Sequence, residues 1–377
     1  MSSTAGGAIV QVAGTRGPVL IIGVGLLGGS LGLSLTALGI EVQLSDTSPT
    51  SLALARDMGV GVPRTQDMAL PRLVIIATPP DVAGACAVEA LRDYPQAYVV
   101  DVASVKTPVI QEVIDQAGED ANRYCSCHPM AGREKSGVAA ARSDLFEGKP
   151  WVVVAHPSTS GDAVLAARTL GVDVGAVLSA LDMDAHDKAV ALVSHVPQLL
   201  SSILGAQLND APSVSLALAG QGLRDMTRLA DSDARLWTAI VCGNAGPIAA
   251  VLKDISADIA ALIQACELAE GAGVLAQGTV GPVSAVLQQG NEGVSRVPGK
   301  HGGLASRFAE VGVLVPDEPG WLGRLFSEVG DAGVNIEDLH LEHSYGQRAG
   351  IATLSIAPAD VDPMTEHLLA AGWRIVE

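Results

Sequence analysis

A strand, a glycine-rich turn and a helix follow one another in the stretch VLIIGVGLLGGS near the start of the chain, and this order of elements constrains the fold most. Four apolar residues, Val19–Ile22, predict a buried parallel strand. Leucines that recur at steps of three and four residues within Leu26–Leu38 predict a helix. A strand that turns directly into a helix opens a βαβ unit, so we expect an α/β fold.

The turn carries Gly23, Gly25 and Gly28 at G-x-G-x-x-G spacing, which is typical of a dinucleotide-binding loop. The first glycine permits the tight turn, the second lets the backbone approach a pyrophosphate, and the third lets helix and strand pack closely. Leu26 and Leu27 open the helix, so their backbone N–H groups would face the phosphates at the positive end of the helix dipole. We therefore expect a nucleotide site made mostly of backbone.

Asp46 ends the next apolar segment, Val42–Ser45, about twenty residues past the first glycine, where dinucleotide-binding folds place an acid. A carboxylate there accepts hydrogen bonds from the ribose hydroxyls of NAD and repels the 2′-phosphate of NADP. No arginine occurs from Thr47 to Leu54. The expected cofactor is therefore NAD.

The uncharged stretch Gly17–Ile40 also fits a signal peptide or a membrane helix. Its many glycines, and the lack of a small-residue cleavage site before the polar run from Glu41, disfavour that alternative. A net charge of −18 and a pI near 4.7 disfavour nucleic acid and anionic membranes as partners. Five irregularly spaced cysteines fit a reduced cytoplasm.

Apolar runs alternate with helical segments in the first half of the chain, which predicts a doubly wound, Rossmann-type parallel sheet. The predicted strands are Val19–Ile22, Val42–Ser45, Leu73–Ala77, Tyr98–Asp101, Tyr124–Cys127, Trp151–Val154 and Val174–Leu178. Helical patterns replace strands from Asp184, a candidate N-cap, and the predicted helices are Asp184–Leu208, Ser215–Leu229, Asp233–Gly243 and Pro247–Leu268. We expect a disordered tail, a nucleotide domain, an all-helical substrate and dimerisation domain, a linker and a βαββαβ module, at residues 1–17, 18–180, 181–290, 291–307 and 308–377.

Candidate chemical residues follow the predicted strands, at the sheet edge where open parallel sheets bind ligands. Thr78 follows one strand, Ser104 and Lys106 follow the next, and His128 ends a third. These strand ends would bring Ser104 and His128 together near the nicotinamide. The ordinary pKa of an imidazole, about 6.5, suits a group that accepts a proton while a hydroxyl is oxidised. A structural role for His128 remains the alternative.

Three other patterns raise the question of a metal or an anion as ligand. Cys125-x-Cys127-His128 has the wrong spacing for a zinc or haem site, so we expect no metal. His186 and His195 would lie on opposite faces of one helix, which also excludes a metal pair. Arg224 and Arg228 would share a helix face and could clamp a carboxylate, or simply face solvent.

Together these residues resemble the prephenate/arogenate dehydrogenase family of tyrosine biosynthesis. The matching stretches, in the order of that family, are GVGLLGGS at 23–30, D-x-x-S-V-K at 101–106, HPMAGREKSG at 128–137, HDKAVALVSHVPQ at 186–198, and GLRDMTRLADSD at 222–233 followed by Trp237. The resemblance implies that His128 takes the proton of the ring hydroxyl and that Ser104 aligns this hydroxyl. It also implies that Arg228 binds a substrate carboxylate, Glu134 lies at the mouth of the site and His195 orders it.

The stretch DEPGWLGRLFSEVGDAGVNIEDL, residues 317–339, resembles an ACT domain, a module that binds amino acids at strand–helix turns. Gly320 would let the backbone turn closely before the helix, and Asn335 and Ile336 would start the second strand. The resemblance implies regulation by an amino acid, tyrosine above all, and a homodimer.

Three alternatives remain for the function. The substrate could be arogenate instead of prephenate, since the two differ only at the side chain. Another NAD-dependent dehydrogenase, such as a β-hydroxyacid dehydrogenase or an imine reductase, would explain the nucleotide turn but not HPMAG-x-E-K-S-G. A non-enzymatic NAD or amino-acid sensor would need no Ser104–His128 pair.

Overall fold

The computed structural model describes residues 13–132, 137–272, 276–297, 308–343 and 349–376. The chain divides into two compact units, each built from two segments. The first unit comprises Met1–Ala211 and Met226–Asp254, and the second comprises Pro212–Asp225 and Ile255–Glu377.

One large sheet organises the first unit. Its strands are β1 (Val19–Ile22), β2 (Val42–Ser45), β3 (Val62–Pro63), β4 (Leu73–Ile76), β5 (Tyr98–Asp101), β6 (Tyr124–Pro129), β7 (Pro150–Val154) and β8 (Val177–Ala180). Their order across the sheet is β3-β2-β1-β4-β5-β6-β7-β8, so the chain winds from β1 to one edge and then crosses to the other. This is the doubly wound, Rossmann-type topology that the apolar runs predict.

Apolar side chains cover both faces of this sheet because successive residues of each strand point to opposite sides. Val19 and Ile21 belong to one buried cluster, which includes Leu31 and Leu35 of the first helix. Leu20 belongs to the other cluster. This two-sided burial explains why the strand sequences are almost continuously apolar.

Helices connect most of the strands of this sheet, and in the described residues after β8 they follow one another without intervening strands up to α12. They are α1 (Leu26–Ala37), α2 (Pro49–Asp57), α3 (Pro80–Asp93), α4 (Thr107–Ala117), α5 (Gly161–Asp173), α6 (Met183–Val190), α7 (Val196–Ala206), α8 (Ser213–Leu216), α9 (Gln221–Thr227), α10 (Ala234–Gly243), α11 (Ala245–Ala272) and α12 (Val280–Val294). A π-helical segment, Ala191–His195, joins α6 to α7, and a 3₁₀ turn, Arg228–Ala230, follows α9.

Two expectations for the sheet are wrong. Strand β7 pairs antiparallel with β6, because the described residues between them, 130–132 and 137–149, form no crossover helix to return the chain for parallel pairing. The predicted strand Val174–Leu178 begins too early. Val174 caps α5, and Gly175 has a φ of 76°, so β8 starts only at Val177 and forms a largely exposed edge.

The sequence also misplaces several ends. Residues 1–12 of the predicted tail lie outside the described residues, but Gly14 and Thr15 are fixed, since their N–H groups donate to Asp173 at 3.1 and 2.7 Å. The N-cap of α6 is Asp182 rather than Asp184, because the Asp182 carboxylate accepts the N–H of Ala185. The predicted helix Ser215–Leu229 is broken into α8, α9 and the 3₁₀ turn. Helix α12 extends to Val294, four residues into the predicted linker.

The βαββαβ module in the second unit forms as expected. Its elements are β9 (Ala309–Pro316), α13 (Trp321–Asp331), β10 (Asp338–His343), β11 (Ala349–Ile356), α14 (Val361–Ala370) and β12 (Arg374–Val376). The sheet order is β10-β11-β9-β12, with antiparallel pairing throughout, and one apolar cluster joins the sheet to both helices. The second strand starts at Asp338, after Asn335 and Ile336.

The helical run Met183–Ala206 is long and apolar enough to cross a membrane, a test that core helices of soluble proteins also pass. Buried polar side chains interrupt it, including His186, Asp187, His195 and Gln198, and each is hydrogen-bonded within the first unit. These contacts fix the polar side chains of the run inside the first unit.

Candidate active site

The glycine turn forms a backbone cradle between β1 and α1. Gly23 has a φ of 95°, which favours glycine, and a Cβ at Gly28 would lie 1.9 Å from the carbonyl oxygen of Gly23. A Cβ at Gly25 would meet no atom within 4 Å, so this glycine faces open space. Helix α1 begins at Leu26 with no side-chain cap, which leaves the N–H groups of Leu26 and Leu27 for a ligand.

Asp46 lies beside this cradle, as its spacing predicts. Its Oδ2 accepts the N–H of Val24 at 2.8 Å, and its Oδ1 accepts the N–H of Ser48 at 2.8 Å. The carboxylate therefore joins the glycine turn to the end of β2. It also places a negative charge where a ribose would lie, which is the arrangement that disfavours a 2′-phosphate.

Thr78 follows β4 at the same edge of the sheet. Its hydroxyl is buried near the half-buried Cys86 thiol but makes no hydrogen bond of good geometry with any residue that the structure describes. A buried hydroxyl without a partner is unfavourable in the free protein and is satisfied when a polar ligand binds. The open cradle, the uncapped helix and this hydroxyl together fit a dinucleotide.

A hydrogen-bonded chain of three polar side chains joins the end of β6 to α6. His128, in β6, has its Nδ1 at 2.9 Å from Nε2 of His186, and the two rings meet edge to face with centroids 5.1 Å apart. The Nδ1 of His186 lies 2.8 Å from Oδ1 of Asp187. All three residues are buried. The sequence indicates no link between His186 and His128, because the two residues stand 58 positions apart.

Burial and charge make His128 a neutral imidazole. Burial lowers the pKa of His128 well below 6.5, and the Lys106 ammonium and neighbouring imidazoles lower it further, while Asp187 raises it. Burial alone would raise the pKa of Asp187. Hydrogen bonds from His186, Thr107 and Lys106 outweigh that effect and lower the Asp187 pKa to about 2. His128, at one end of this hydrogen-bonded chain, is thus an uncharged base, and Asp187, at the other end, is a carboxylate.

Lys106 forms a second buried network underneath. Its ammonium donates to Asp101 at 2.8 Å, to the hydroxyl of Ser126 at 2.8 Å and to the carbonyl of Cys127 at 2.6 Å. The other oxygen of Asp101 accepts the hydroxyl of Tyr124 at 2.6 Å. This fully buried ion pair ties the loop after β5 to β6, directly before His128.

Ser104 lies half-buried in the loop that Lys106 and Asp101 anchor. Because β5 pairs with β6 through Asp101 and Ser126, the loop and His128 leave neighbouring strands at the same edge. In the part of the chain that the structure describes, His128 bonds to His186 and no hydrogen bond joins it to Ser104. Ser104 and His128 therefore lie at the ends of neighbouring strands, as predicted, but no direct hydrogen bond joins them.

His195 ends the π-helical segment. Its Nδ1 lies 3.0 Å from Nδ2 of Asn244, which also donates to the carbonyl of Asp187 at 2.7 Å, and its ring meets Trp237 edge to face. Burial lowers the pKa of His195 to about 4. The prediction of opposite faces assumes a regular α-helix, and the wider π turn before His195 invalidates that assumption.

The remaining predicted residues are only partly placed. Arg228 is exposed and begins a 3₁₀ turn, so it does not continue the α-helix of Arg224. The buried amide of Gln198 holds this turn, since it donates to the carbonyl of Leu229 at 2.6 Å and to Ser232 at 2.8 Å. Glu134 lies outside the described residues. Among the side chains that the structure describes, no group of three or more His, Cys, Asp or Glu is arranged to hold a metal ion.

Two family models match successive parts of the chain. The model of the prephenate dehydrogenase nucleotide-binding domain matches residues 31–180, and that of the prephenate dehydrogenase dimerization domain matches residues 182–274. The chain belongs to the prephenate dehydrogenase family. The chain is also 35% identical over 362 residues to a Streptomyces niveus protein named "Probable prephenate dehydrogenase NovF", an alignment that covers 94% of this chain and 98% of the relative.

Other relatives of the family agree. Prephenate dehydrogenase of Bacillus subtilis is 24% identical over 365 residues, which cover 94% of this chain and 95% of that protein. Among solved structures, prephenate dehydrogenase from A. aeolicus, in complex with hydroxyphenyl propionate and NAD⁺, has a TM-score of 0.63 and 26% identity. That match covers 75% of this chain and 99% of the other.

His186, Asp187, Asn244 and Gln198 are the functional candidates that reasoning from the sequence missed. Three of them stand in the HDKAVALVSHVPQ stretch, and for His186 and Asp187 the available signal was a histidine next to an aspartate. Asn244 and Gln198 gave no signal, because their roles depend on segments distant in the chain.

Proposed function

We propose that this chain is an NAD-dependent prephenate dehydrogenase that oxidises and decarboxylates prephenate to 4-hydroxyphenylpyruvate in the tyrosine pathway. The observation that supports it best is the buried Asp187–His186–His128 chain, which ends in a neutral imidazole at the edge of a nucleotide-binding sheet. Family membership supports the same reaction. So does the buried Thr78 hydroxyl near the glycine turn, which has no hydrogen-bond partner among the described residues.

The proposed reaction combines a hydride transfer, a proton transfer and a decarboxylation. NAD, when bound at the glycine turn, would supply the acceptor for a hydride from ring carbon C4. His128 takes the proton of the C4 hydroxyl as that oxygen becomes a carbonyl. The ring carboxylate leaves as carbon dioxide, and its bonding electrons complete the aromatic ring. Because aromatisation drives the step, the protein needs chiefly to orient the substrate and to supply one proton acceptor.

Charge and position suggest the other roles. Ser104 would align the C4 hydroxyl with His128, and Arg228 would pair with a carboxylate through its planar fork. His195, held by Asn244, would order the site from the helical side. Glu134 would influence access to the site. Asp46 would select NAD over NADP.

Steady-state NADH formation tests this proposal. Prephenate and arogenate are supplied side by side, each with NAD and with NADP, and a 3-hydroxyacid serves as the control substrate. Turnover of prephenate with NAD is the expected result. Preference for arogenate would reassign the substrate within the same mechanism, and turnover of the 3-hydroxyacid alone would overturn the function. The absence of any turnover would favour the sensor alternative.

We further propose that the βαββαβ module binds tyrosine as an effector. A cavity of about 350 Å³ lies at the β9–α13 turn, lined by Val315, Pro316, Asp317, Glu318, Pro319, Gly320, Leu322 and Leu341. Acidic side chains there suit an α-amino group, and the uncapped start of α13 suits a carboxylate. Asn335 and Ile336 do not line this cavity, so their regulatory assignment has no support from it.

Tyrosine titration of NADH formation checks the effector. The comparison is with Gly320→Val, because a β-branched residue is incompatible with the φ of 92° at this position and would displace the turn. Inhibition of the wild type that is lost in the variant is expected. Equal inhibition of both, or of neither, would remove the effector role from the module.

Exposed apolar side chains support our proposal of a homodimer. Ile259, Ile263 and Leu268 are exposed on α11, and Val280, Leu287 and Val294 on α12. Such stripes are buried when helices of two copies pack. Light scattering should give twice the chain mass, and Ile259→Glu with Ile263→Glu should reduce it. We also propose a cytoplasmic location, where the free cysteines and the NAD pool fit.

A further inference from the structure

The directions of the hydrogen bonds around His186 determine which nitrogen of His128 carries its proton. Asp187 is ionised at neutral pH, so it can only accept hydrogen bonds. The nitrogen of His186 that contacts it, Nδ1, must therefore be the protonated one. In a neutral imidazole the other nitrogen is then an acceptor.

The second link follows from the first. Because Nε2 of His186 is an acceptor, the hydrogen bond of 2.9 Å to His128 requires a proton on Nδ1 of His128. The Nε2 of a neutral His128 then carries a lone pair. This is the form of the imidazole that can accept a proton from a substrate hydroxyl.

We propose that His186 and Asp187 are positioning residues that hold His128 in the tautomer with a free Nε2 and share the charge when His128 accepts a proton. This inference rests on the proposed role of His128 as proton acceptor. Neither residue needs to contact the substrate, since both act through the ring of His128.

The charged groups near the His chain already have partners. Asp187 is already satisfied by the backbone N–H groups of Lys106 and Thr107, at 2.9 and 2.8 Å, in addition to His186. The buried Lys106 ammonium already places one cation near His128, and burial lowers the pKa of the neighbouring His195 to about 4, so that ring is neutral. A second buried cation at His186 would add to this positive charge. Proton uptake at His128, by contrast, coincides with the loss of a substrate proton and is offset through His186 by the Asp187 carboxylate.

Nitrogen NMR of the histidine side chains tests the tautomer directly. The ¹⁵N shifts of His128, assigned by comparison with His128→Asn, report which ring nitrogen is protonated in the intact protein. A proton on Nδ1 and a free Nε2 are expected. A proton on Nε2 would overturn the inference, because it would mean that His186 is the donor in the pair.

Two substitutions of His186 separate its hydrogen bond to His128 from its hydrogen bond to Asp187. In His186→Gln, the side-chain oxygen can lie where Nε2 lies and accept from His128, but the bond to Asp187 is lost. In His186→Asn, the amide can reach only the position of Nδ1, so it keeps the bond to Asp187 and loses the acceptor. We expect His186→Asn to lower kcat by about 10²-fold, the range for a misaligned general base, with KM little changed. His186→Gln should retain at least ten times more of the activity, by the same reasoning.

Ser34→Ala provides the control for general loosening of the core, since it removes the hydrogen bonds of a buried hydroxyl to the carbonyls of Ser30 and Ser143 and none in the His chain. Its kcat should remain close to the wild-type value. Equal kcat values in His186→Asn and His186→Gln would overturn the inference, even if both variants fold and bind NAD. A loss in Ser34→Ala as large as in His186→Asn would also overturn it, because core packing would then explain both.

The failure of this inference differs from the failure of the proposed function. If His128→Asn keeps its activity, His128 is not the proton acceptor, whatever tautomer the NMR shows. If His128→Asn is inactive while Nε2 carries the proton in the wild type, the proposed function stands and the role of His186 does not.

Discussion

The glycine turn and the buried histidine chain belong to the same unit but are built in opposite ways. The turn offers backbone N–H groups to a ligand, and its three glycines lie between β1 and the first turn of α1. The histidine chain consists of side chains, and it joins β6 to α6 across 58 residues. A backbone site can thus be read from a short sequence motif, whereas a side-chain network depends on how distant segments meet.

The polar groups of the two regions are satisfied in different ways. The turn places its polar groups at an open sheet edge, where water satisfies them in the free protein. The histidine chain and the Lys106–Asp101 pair are buried, so each member must have a partner. We therefore expect substitutions in the chain to change chemistry, and substitutions in the turn to change cofactor binding.

The largest expected effect is that of His128→Asn. This variant keeps a polar side chain but removes the proton acceptor, so kcat should fall by about 10²–10⁴-fold with little change in KM. Steady-state NADH formation measures it, with His156→Asn as the control at an exposed histidine. Near-normal turnover of His128→Asn would exclude the residue from the chemical step.

A smaller effect is expected from Gly28→Ala. The added Cβ would lie 1.9 Å from the carbonyl oxygen of Gly23, so the turn must shift. A misplacement of this kind lowers kcat/KM for NAD by about 10²-fold. Gly161→Ala is the matched control, since that glycine opens α5 and its Cβ would meet no atom within 4 Å. If both variants bind NAD equally well, the close packing at Gly28 does not shape the cofactor site.

Asp46→Asn should have a moderate effect on cofactor choice. The substitution removes the charge that repels a 2′-phosphate, and an amide accepts ribose hydroxyls more weakly than a carboxylate. We expect about a tenfold loss in the preference for NAD over NADP, the equivalent of one charged hydrogen bond. The ratio of kcat/KM values for the two cofactors measures it. An unchanged ratio would show that discrimination arises elsewhere.

The smallest effect expected is a dependence of stability on pH. The pKa of His195 is lowered from 6.5 to about 4, and that of His128 also lies well below 6.5. Between these limits the unfolded chain binds protons at both imidazoles and the native protein does not, so the free energy of unfolding decreases as pH falls from about 6.5 towards 4. Urea unfolding at several pH values measures this slope.

His195→Gln supplies the comparison for that slope. It removes one of the two imidazoles, so its free energy of unfolding should depend less steeply on pH over the same range. An identical slope in the wild type and the variant would mean that His195 is not held neutral by burial.

The sequence predicts the nucleotide half well, because its signals are local. Six strands of the large sheet lie within two residues of their predicted bounds, and Asp46 contacts the turn as its spacing implies. The antiparallel β7 escapes prediction because strand direction depends on the connection, not on the strand. The π-helical segment escapes because one extra residue in a helical turn leaves no mark in an apolar pattern.

The site is predictable only in part for the same reason. The position of His128 at a strand end follows from periodicity and burial. Its tautomer, its lowered pKa and its partner depend on His186, on Lys106 and on the depth of the pocket. No spacing rule relates these residues, because the helices after β8 bring them together.

The pH dependence of kcat/KM for prephenate with NAD tests the central claim, that a buried neutral His128 accepts the substrate proton, most directly. Activity is lost as pH falls through the pKa of the free base, which burial places well below 6.5. We predict that kcat/KM stays level through pH 6.5, declines only in more acidic solution, and loses this decline in the residual activity of His128→Asn. A decline centred at or above pH 6.5, or one that persists unchanged in His128→Asn, would contradict the account.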